Sequence, residues 1–389
     1  VHTLALVHSG AALIVGGEFS SLGGTAAGRL ARFSPTGVFD ATVNGSLGSG
    51  FNADVLSLLP SGSDLFVGGS FTALNGVARS RLVKLNVGIA NGSNAIVDPS
   101  FVTETSGGFD NDVHALAFMG PAKILVGGKF ANYRSAAAPG LISLFTANGE
   151  RDRGFNFAAG FSPSTVAPVE INALAVTDQG AGAYSVYAGG EFSKFKGYVS
   201  PRLVKMNQSG IRDAGFVIGP QGFDGSVHAI LATPNGIFVG GDFQQYKGAA
   251  VSGLVRLNSA SAALEASVTL TGGGVRTLAS AEGGNVWAGG SFAPVGSQTA
   301  AAVIQLNSDL VIESSFNVDL GLGAHTPEEF NSFLLGTRTN ADVYGVHALS
   351  YNPTAPSRLF VGGFFSLLNN AVAAHGVRLT TQGIQASNP

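Results

Sequence analysis

The chain has 389 residues, of which 45% are hydrophobic and 12% charged, with 56 Gly and a formal net charge of −3. A chain so apolar can bury a sizeable core and is not intrinsically disordered, and without excess basic charge it lacks the electrostatic footprint of a nucleic-acid binder. It contains no Cys, which excludes disulfides, thiolate metal sites and a Cys nucleophile.

Val1 opens a short apolar segment, and the chain starts without Met or a signal peptide. A processed or trimmed product is the expectation. No apolar run approaches the roughly 20 residues of a membrane-spanning helix, so no transmembrane segment is expected. Zero Cys and two Met suit a secreted or cell-surface setting, where thiols and thioethers oxidise.

One phrase recurs down the chain: Val15-Gly16-Gly17-Glu18-Phe19, Val67-Gly68-Gly69-Ser70-Phe71, Val126-Gly127-Gly128-Lys129-Phe130, Ala188-Gly189-Gly190-Glu191-Phe192, Val239-Gly240-Gly241-Asp242-Phe243, Ala288-Gly289-Gly290-Ser291-Phe292 and Val361-Gly362-Gly363-Phe364-Phe365. Before each lies a short apolar segment such as Val113-His114-Ala115-Leu116, and after it another such as Arg202-Leu203-Val204-Lys205-Met206. An acidic residue then precedes an apolar one, as in Asp98-Pro99-Ser100-Phe101 and Asp213-Ala214-Gly215-Phe216. Runs this short, rich in β-branched and aromatic residues and punctuated by Gly, Asn, Ser and Pro, read as strands. Four such strands in about 50 residues make one propeller blade.

The expected fold is therefore all-β, a single seven-bladed β-propeller of four-stranded antiparallel blades. The approximate blades are 1–50, 51–108, 109–166, 167–222, 223–271, 272–340 and 341–389. The repeats are in frame, so the seventh blade is built from the C-terminal segment, with Gly383-Ile384-Gln385-Ala386-Ser387 as its outer strand. The Gly pair should end the second strand at a bulge or close backbone approach. The Phe after it should fill space between blades, a burial of up to ~3 kcal/mol. Arg32 with Asp40, Lys205 with Asp213 and Arg256 with Glu265 are spaced about hairpin turns as cross-strand ion pairs.

The run Gly222-Phe223-Asp224-Gly225-Ser226-Val227-His228-Ala229-Ile230, then Gly236-Ile237-Phe238-Val239-Gly240-Gly241-Asp242-Phe243, then Leu254-Val255-Arg256-Leu257-Asn258 resembles the delta-60 repeat of bacterial secreted and surface propellers. The usual Asp-Gly-Lys of that family is missing here, and Glu265-Ala266-Ser267-Val268 departs from its Asp-x-x-Phe form. The fungal cell-surface polarity-marker propellers and the Kelch propellers are looser resemblances. The resemblance implies a fold and an extracellular setting, and no reaction.

His2, His114, His228 and His347 share one repeat position, held elsewhere by Leu56, Asn172 and Arg276. Converging imidazoles there could hold a divalent metal; the plainer reading is that each bonds its own blade's turn. Asp110 and Asp112 resemble the start of a Ca²⁺ loop without its Gly and distal Glu, and turn formation is the plainer reading. The longest interval between repeats holds Thr326-Pro327-Glu328-Glu329, a capped helix start. A short helix should decorate the loop between blades six and seven, presenting Phe330, Phe333 and Leu334 as a partner contact or as a plug beside the ring. No nucleophile elbow, zinc-protease helix or phosphate loop appears, so no catalytic residue and no cofactor is assigned. The expected function is a non-catalytic extracellular scaffold, adhesive or structural, that binds a protein or glycan surface or self-associates. The alternative is a polysaccharide-acting hydrolase or lyase at a channel mouth.

Overall fold

The computed structural model describes residues 1–22, 24–34, 37–88, 94–103, 107–155, 160–163, 168–293, 302–313, 345–352, 358–364, 367–368, 371–372 and 376–380. The helix expected after Thr326, with Phe330, Phe333 and Leu334, and the strand expected at 383–387 lie outside them.

Seven main antiparallel sheets follow one another among the described residues. Their inner strands are Thr3–Val7, Val55–Ser61, Val113–Phe118, Glu170–Gly180, Val227–Thr233, Val275–Ser280 and Gly345–Asn352. Each inner strand packs on the next, and the last packs on the first. The chain is thus an all-β propeller, and its sheets are compatible with seven blades. Hydrophobic clusters lie between neighbouring sheets, for example Ile14, Leu30, Val55, Leu65 and Val67 between the first two. Both faces of a sheet are buried this way, which is why its strands need not alternate polar and apolar residues.

The Gly pair has two separate tasks. A Cβ on the first Gly would strike the β-branched residue that opens the next blade: on Gly16 it would lie 2.5 Å from Val55 Cγ1, on Gly68 2.6 Å from Val113 Cγ1, and on Gly289 2.6 Å from Val346 Cγ1. At the seam a Cβ on Gly362 would lie 2.6 Å from Val1 Cγ1. A Cβ on the second Gly would strike the backbone leading into its own blade's inner strand, at Asp54 O for Gly69 and Asp112 O for Gly128. Real Cβ atoms do not approach so closely, so only Gly fits.

The Phe after the pair is buried, as at Phe71, Phe130, Phe192 and Phe243. Its nearest ring comes from the segment entering its own blade: Phe51–Phe71 at 4.5 Å, Phe109–Phe130 at 4.6 Å, Phe161–Phe192 at 4.7 Å and Phe223–Phe243 at 4.4 Å between centroids. The filler between blades is therefore a pair of rings, tilted or edge-on to each other, rather than one ring.

The outer strands differ from expectation. A continuous fourth strand forms fully in the fifth blade (Leu264–Thr269) and briefly in the first and second (Phe39–Asp40, Ile96–Val97). In the third, fourth and sixth sheets the fourth position is one isolated bridge, Leu144 to Arg151, Met206 to Arg212 and Leu306 to Ile312. In the second, third and fourth blades the cause lies in the acidic residue. The carboxylates of Asp98, Asp152 and Asp213 accept from the backbone N–H two residues on, at Ser100, Gly154 and Gly215, each at 2.9 Å. That local bond bends the chain into a turn and stops the strand. Glu265, the departure from the repeat pattern, makes no such turn, and there the full strand runs.

In the first blade Asp40 instead caps a six-residue helix, Ala41–Ser46, by accepting from Thr42 N at 3.0 Å. The expected cross-strand ion pairs are present: Arg32–Asp40 at 2.7 Å, Lys205–Asp213 at 2.9 Å and Arg256–Glu265 at 3.3 Å.

Candidate functional site

The inner strands carry a repeated bulge. Pairing with the second strand skips one residue between Val55 and Ser57, Val113 and Ala115, Ile171 and Ala173, Val227 and Ala229, Val275 and Thr277, and Val346 and Ala348. The skipped residues are Leu56, His114, Asn172, His228, Arg276 and His347, the repeat position singled out by its histidines. A bulge re-aims the extra side chain. Spacing had placed an irregularity at the Gly pair; the surplus residue stands opposite it, on the inner strand.

Re-aimed side chains meet acids at the junctions between blades. His114 Nδ1 lies 3.0 Å from Glu170 Oε1 and 3.1 Å from Asn172 Oδ1, both on the fourth blade. Burial works against the charge on His114, but the bond and charge of Glu170, with Asn172 and Asp112, outweigh it and raise its pKa. The bond from His114 in turn lowers the Glu170 carboxyl, against its burial. His228 Nε2 is 2.7 Å from Asp242 Oδ2, and Arg276 Nη1 of the sixth blade is 3.1 Å from the same oxygen. Burial would raise the Asp242 pKa; the His228 bond and both positive charges pull it down instead. Glu191 accepts from Ser226 Oγ at 2.5 Å and pairs with Arg202 at 3.0 Å.

Among the described side chains the histidines therefore do not gather at one point. His114 and His228 are fixed at separate junctions; His114 bonds Glu170 and Asn172 of the next blade, whereas His228 bonds Asp242 of its own. The backbone of His347 lies on the seventh inner strand; its side chain is outside the described residues. Among the described residues, one group brings three metal-ligating side chains together: His2, Glu18 and Asp54, with ligand atoms within 4.8 Å of one another. Sequence reasoning found His2 but not its partners, because Asp54 comes from another blade.

Asp110 serves the loop. Its carboxylate accepts from Ala131 N at 2.9 Å, Asn132 N at 3.1 Å and Asn132 Nδ2 at 2.8 Å. Asp112 faces Arg81 at 3.9 Å and His114 at 4.0 Å. Asp224 and Asn52 repeat the loop-stitching role of Asp110 in their own blades.

A second feature surrounds these junctions. After the Gly-Gly phrase the chain forms two-residue hairpins: Ser21–Leu22 with Thr25–Ala26, Ala73–Leu74 with Val77–Ala78, Asn132–Tyr133 with Ala136–Ala137, Lys194–Phe195 with Tyr198–Val199, Gln245–Tyr246 with Ala249–Ala250, and Leu367–Leu368 with Ala371–Val372. The first arm is tied inward, by bridges such as Phe51 to Leu74 and Phe109 to Tyr133. Among the described residues nothing pairs with the outer side of the second arm. Both residues of the second arm are exposed in the first five hairpins, including Val77 at 54%, Tyr198 at 58% and Val199 at 48%. Beside one hairpin, Leu47, Leu74, Val77, Arg79 and Ile96 line a shallow cleft of about 370 Å³.

Comparison with known proteins supports the propeller. A beta-propeller domain of unknown function (DUF5122) matches residues 13–42, 233–261 and 284–316, which carry the Gly-Gly phrases of the first, fifth and sixth units. No curated protein matches the chain. Among solved structures, the WD40 beta-propeller domain of Doa1 is 11% identical with a TM-score of 0.41 and covers 74% of each chain. The C-terminal WD40 domain of Sif2 is 13% identical with a TM-score of 0.48, covering 96% of this chain and 79% of that one. No helix among the described residues is long and apolar enough to cross a membrane.

Proposed function

We propose that the protein is a non-catalytic scaffold, secreted or held at a cell surface, that binds a protein or glycan surface or another copy of itself through one face of the ring. The observation that carries this reading is the row of hairpins with an open outer arm. Exposed strand edges offer unpaired backbone groups to a partner, and here they also expose Val77, Tyr198 and Val199. The delta-60 resemblance supports the extracellular setting, and the family's surface proteins suit an adhesive or structural role.

No specific observation favours the polysaccharide-acting alternative. The described acids of the blade junctions face a positively charged or hydroxyl partner, and Trp287 is buried in a second strand rather than offered to a sugar ring. The test combines light scattering with a glycan and protein binding screen, on the native chain and on Val77→Lys/Val199→Lys. Assembly or binding lost in the double variant is expected. Equal behaviour of both proteins, or turnover of a polysaccharide, would overturn the reading.

A further inference from the structure

Three repeat positions meet at successive blade junctions: the inner-strand position that carries the histidines, the residue after Gly-Gly, and the residue before the β-branched one that opens the next blade. At the junction of blades three and four they are His114, Lys129 and Glu170; at four and five, Asn172, Glu191 and Ser226; at five and six, His228, Asp242 and Gly274; at two and three, Leu56, Ser70 and Asp112. The observed separations of 3.0 Å for His114–Glu170, 2.7 Å for His228–Asp242 and 2.5 Å for Ser226–Glu191 show that these positions converge to bonding distance. Each of those four junctions gives at least one of the three positions to a Lys, a Ser or a Gly. Among the described residues, the junction of blades one and two alone brings three metal-ligating groups together: His2, Glu18 and Asp54.

We infer that His2, Glu18 and Asp54 form a divalent transition-metal site that clamps the first blade to the second. One imidazole nitrogen with two carboxylates suits Zn²⁺ or Mn²⁺, whereas Ca²⁺ and Mg²⁺ favour oxygen alone. The backbone holds the donors in place. His2 N donates to Gly16 O at 2.9 Å, and Asp54 O accepts from Ser70 N at 2.9 Å. The donors come from three separate segments, so a bound ion would tie them together. His2 and Glu18 each already have a partner within the chain, and Arg29 Nε lies 3.6 Å from Asp54; an ion would take over part of the neutralisation of Asp54. The Val1 amine also faces Glu18 and Asp54, and burial lowers its pKa, so the test must separate it from the three side chains.

The experiment titrates Zn²⁺, Mn²⁺ and Ca²⁺ separately into the full chain by calorimetry, with the Val1 amine free and acetylated, and follows the thermal midpoint. One Zn²⁺ or Mn²⁺ per acetylated chain, a raised midpoint, and at least tenfold weaker binding in Glu18→Gln and His2→Ala are expected. His114→Ala should bind as the parent does. Glu18 is exposed, so Glu18→Gln should fold and keeps the test decisive if His2→Ala does not. Binding lost on acetylation, unchanged in Glu18→Gln, equally weakened in His114→Ala, or limited to Ca²⁺ would overturn the inference.

Discussion

The inner ring and the outer rim of the same blades obey different rules. Along the ring one contact repeats, a first Gly against the β-branched residue of the next blade, and it recurs at the seam between Gly362 and Val1. Along the rim the fourth position is a strand in the fifth blade, a helix start in the first and a turn in the third and fourth. Steric exclusion leaves the ring one solution. The rim is held by ion pairs and local hydrogen bonds, which tolerate several.

The sharpest way to break that comparison is to add a methyl group to the ring. Gly69→Ala would press its Cβ on Asp54 O, and we expect a loss of about 3 kcal/mol in urea unfolding, at the upper end for overpacking. A loss under half that would mean the ring is softer than its repeats suggest. Of similar size, Arg32→Met tests the rim pair whose cation is the most deeply buried among the described residues. Arg32 is 1% exposed, binds Asp40 and donates to Val87 O of the second blade at 2.7 Å, so removing it strands a carboxylate at about 3 kcal/mol. Lys205→Met breaks a more exposed pair and should cost about 1 kcal/mol or less. If the two rim variants lost equal stability, burial would not be what separates them.

The smallest effects are visible only against pH. Asp98, bonded to Lys84 and Ser100 against its burial, is held at about 2 from 3.8. Its contribution is complete above the unfolded value and is lost as pH falls between 3.8 and about 2. His114 has a raised pKa, so its contribution is complete below 6.5 and fades as pH rises through the folded value. Asp98→Asn should flatten the acid limb of stability, and His114→Gln the limb above 6.5. An unchanged curve in either variant would show that the pair in question contributes nothing measurable.

The ring was legible because its cause is local. Val-Gly-Gly-x-Phe states a steric requirement within five residues, and the hairpin spacing of Lys205 and Asp213 states another within nine. The junction chemistry was not, because Glu170 and Asn172 lie more than 50 residues from His114, as Asp54 does from His2, and the bulge that aims His114 leaves no residue-type mark. The rim misled for a different reason. Asp98 and Asp213 both face a strand neighbour and cap their own backbone, and spacing cannot say which bond shortens the strand. The helix Ala41–Ser46 combines Thr, Val, Asn, Gly and Ser, all poor helix formers; its one sign was the capping Asp40.

The seam between the seventh and first blades uses the same Gly-to-Val fit as the other junctions, with Leu13, Val15 and Phe360 packed beside it. Among the described residues this seam shows no fastener beyond that fit. A gene rearranged to open between any other pair of blades, with the present ends joined by a linker, should rebuild the same disc. Its hairpins would return to the same places, in an order that only the chain, and not the fold, records.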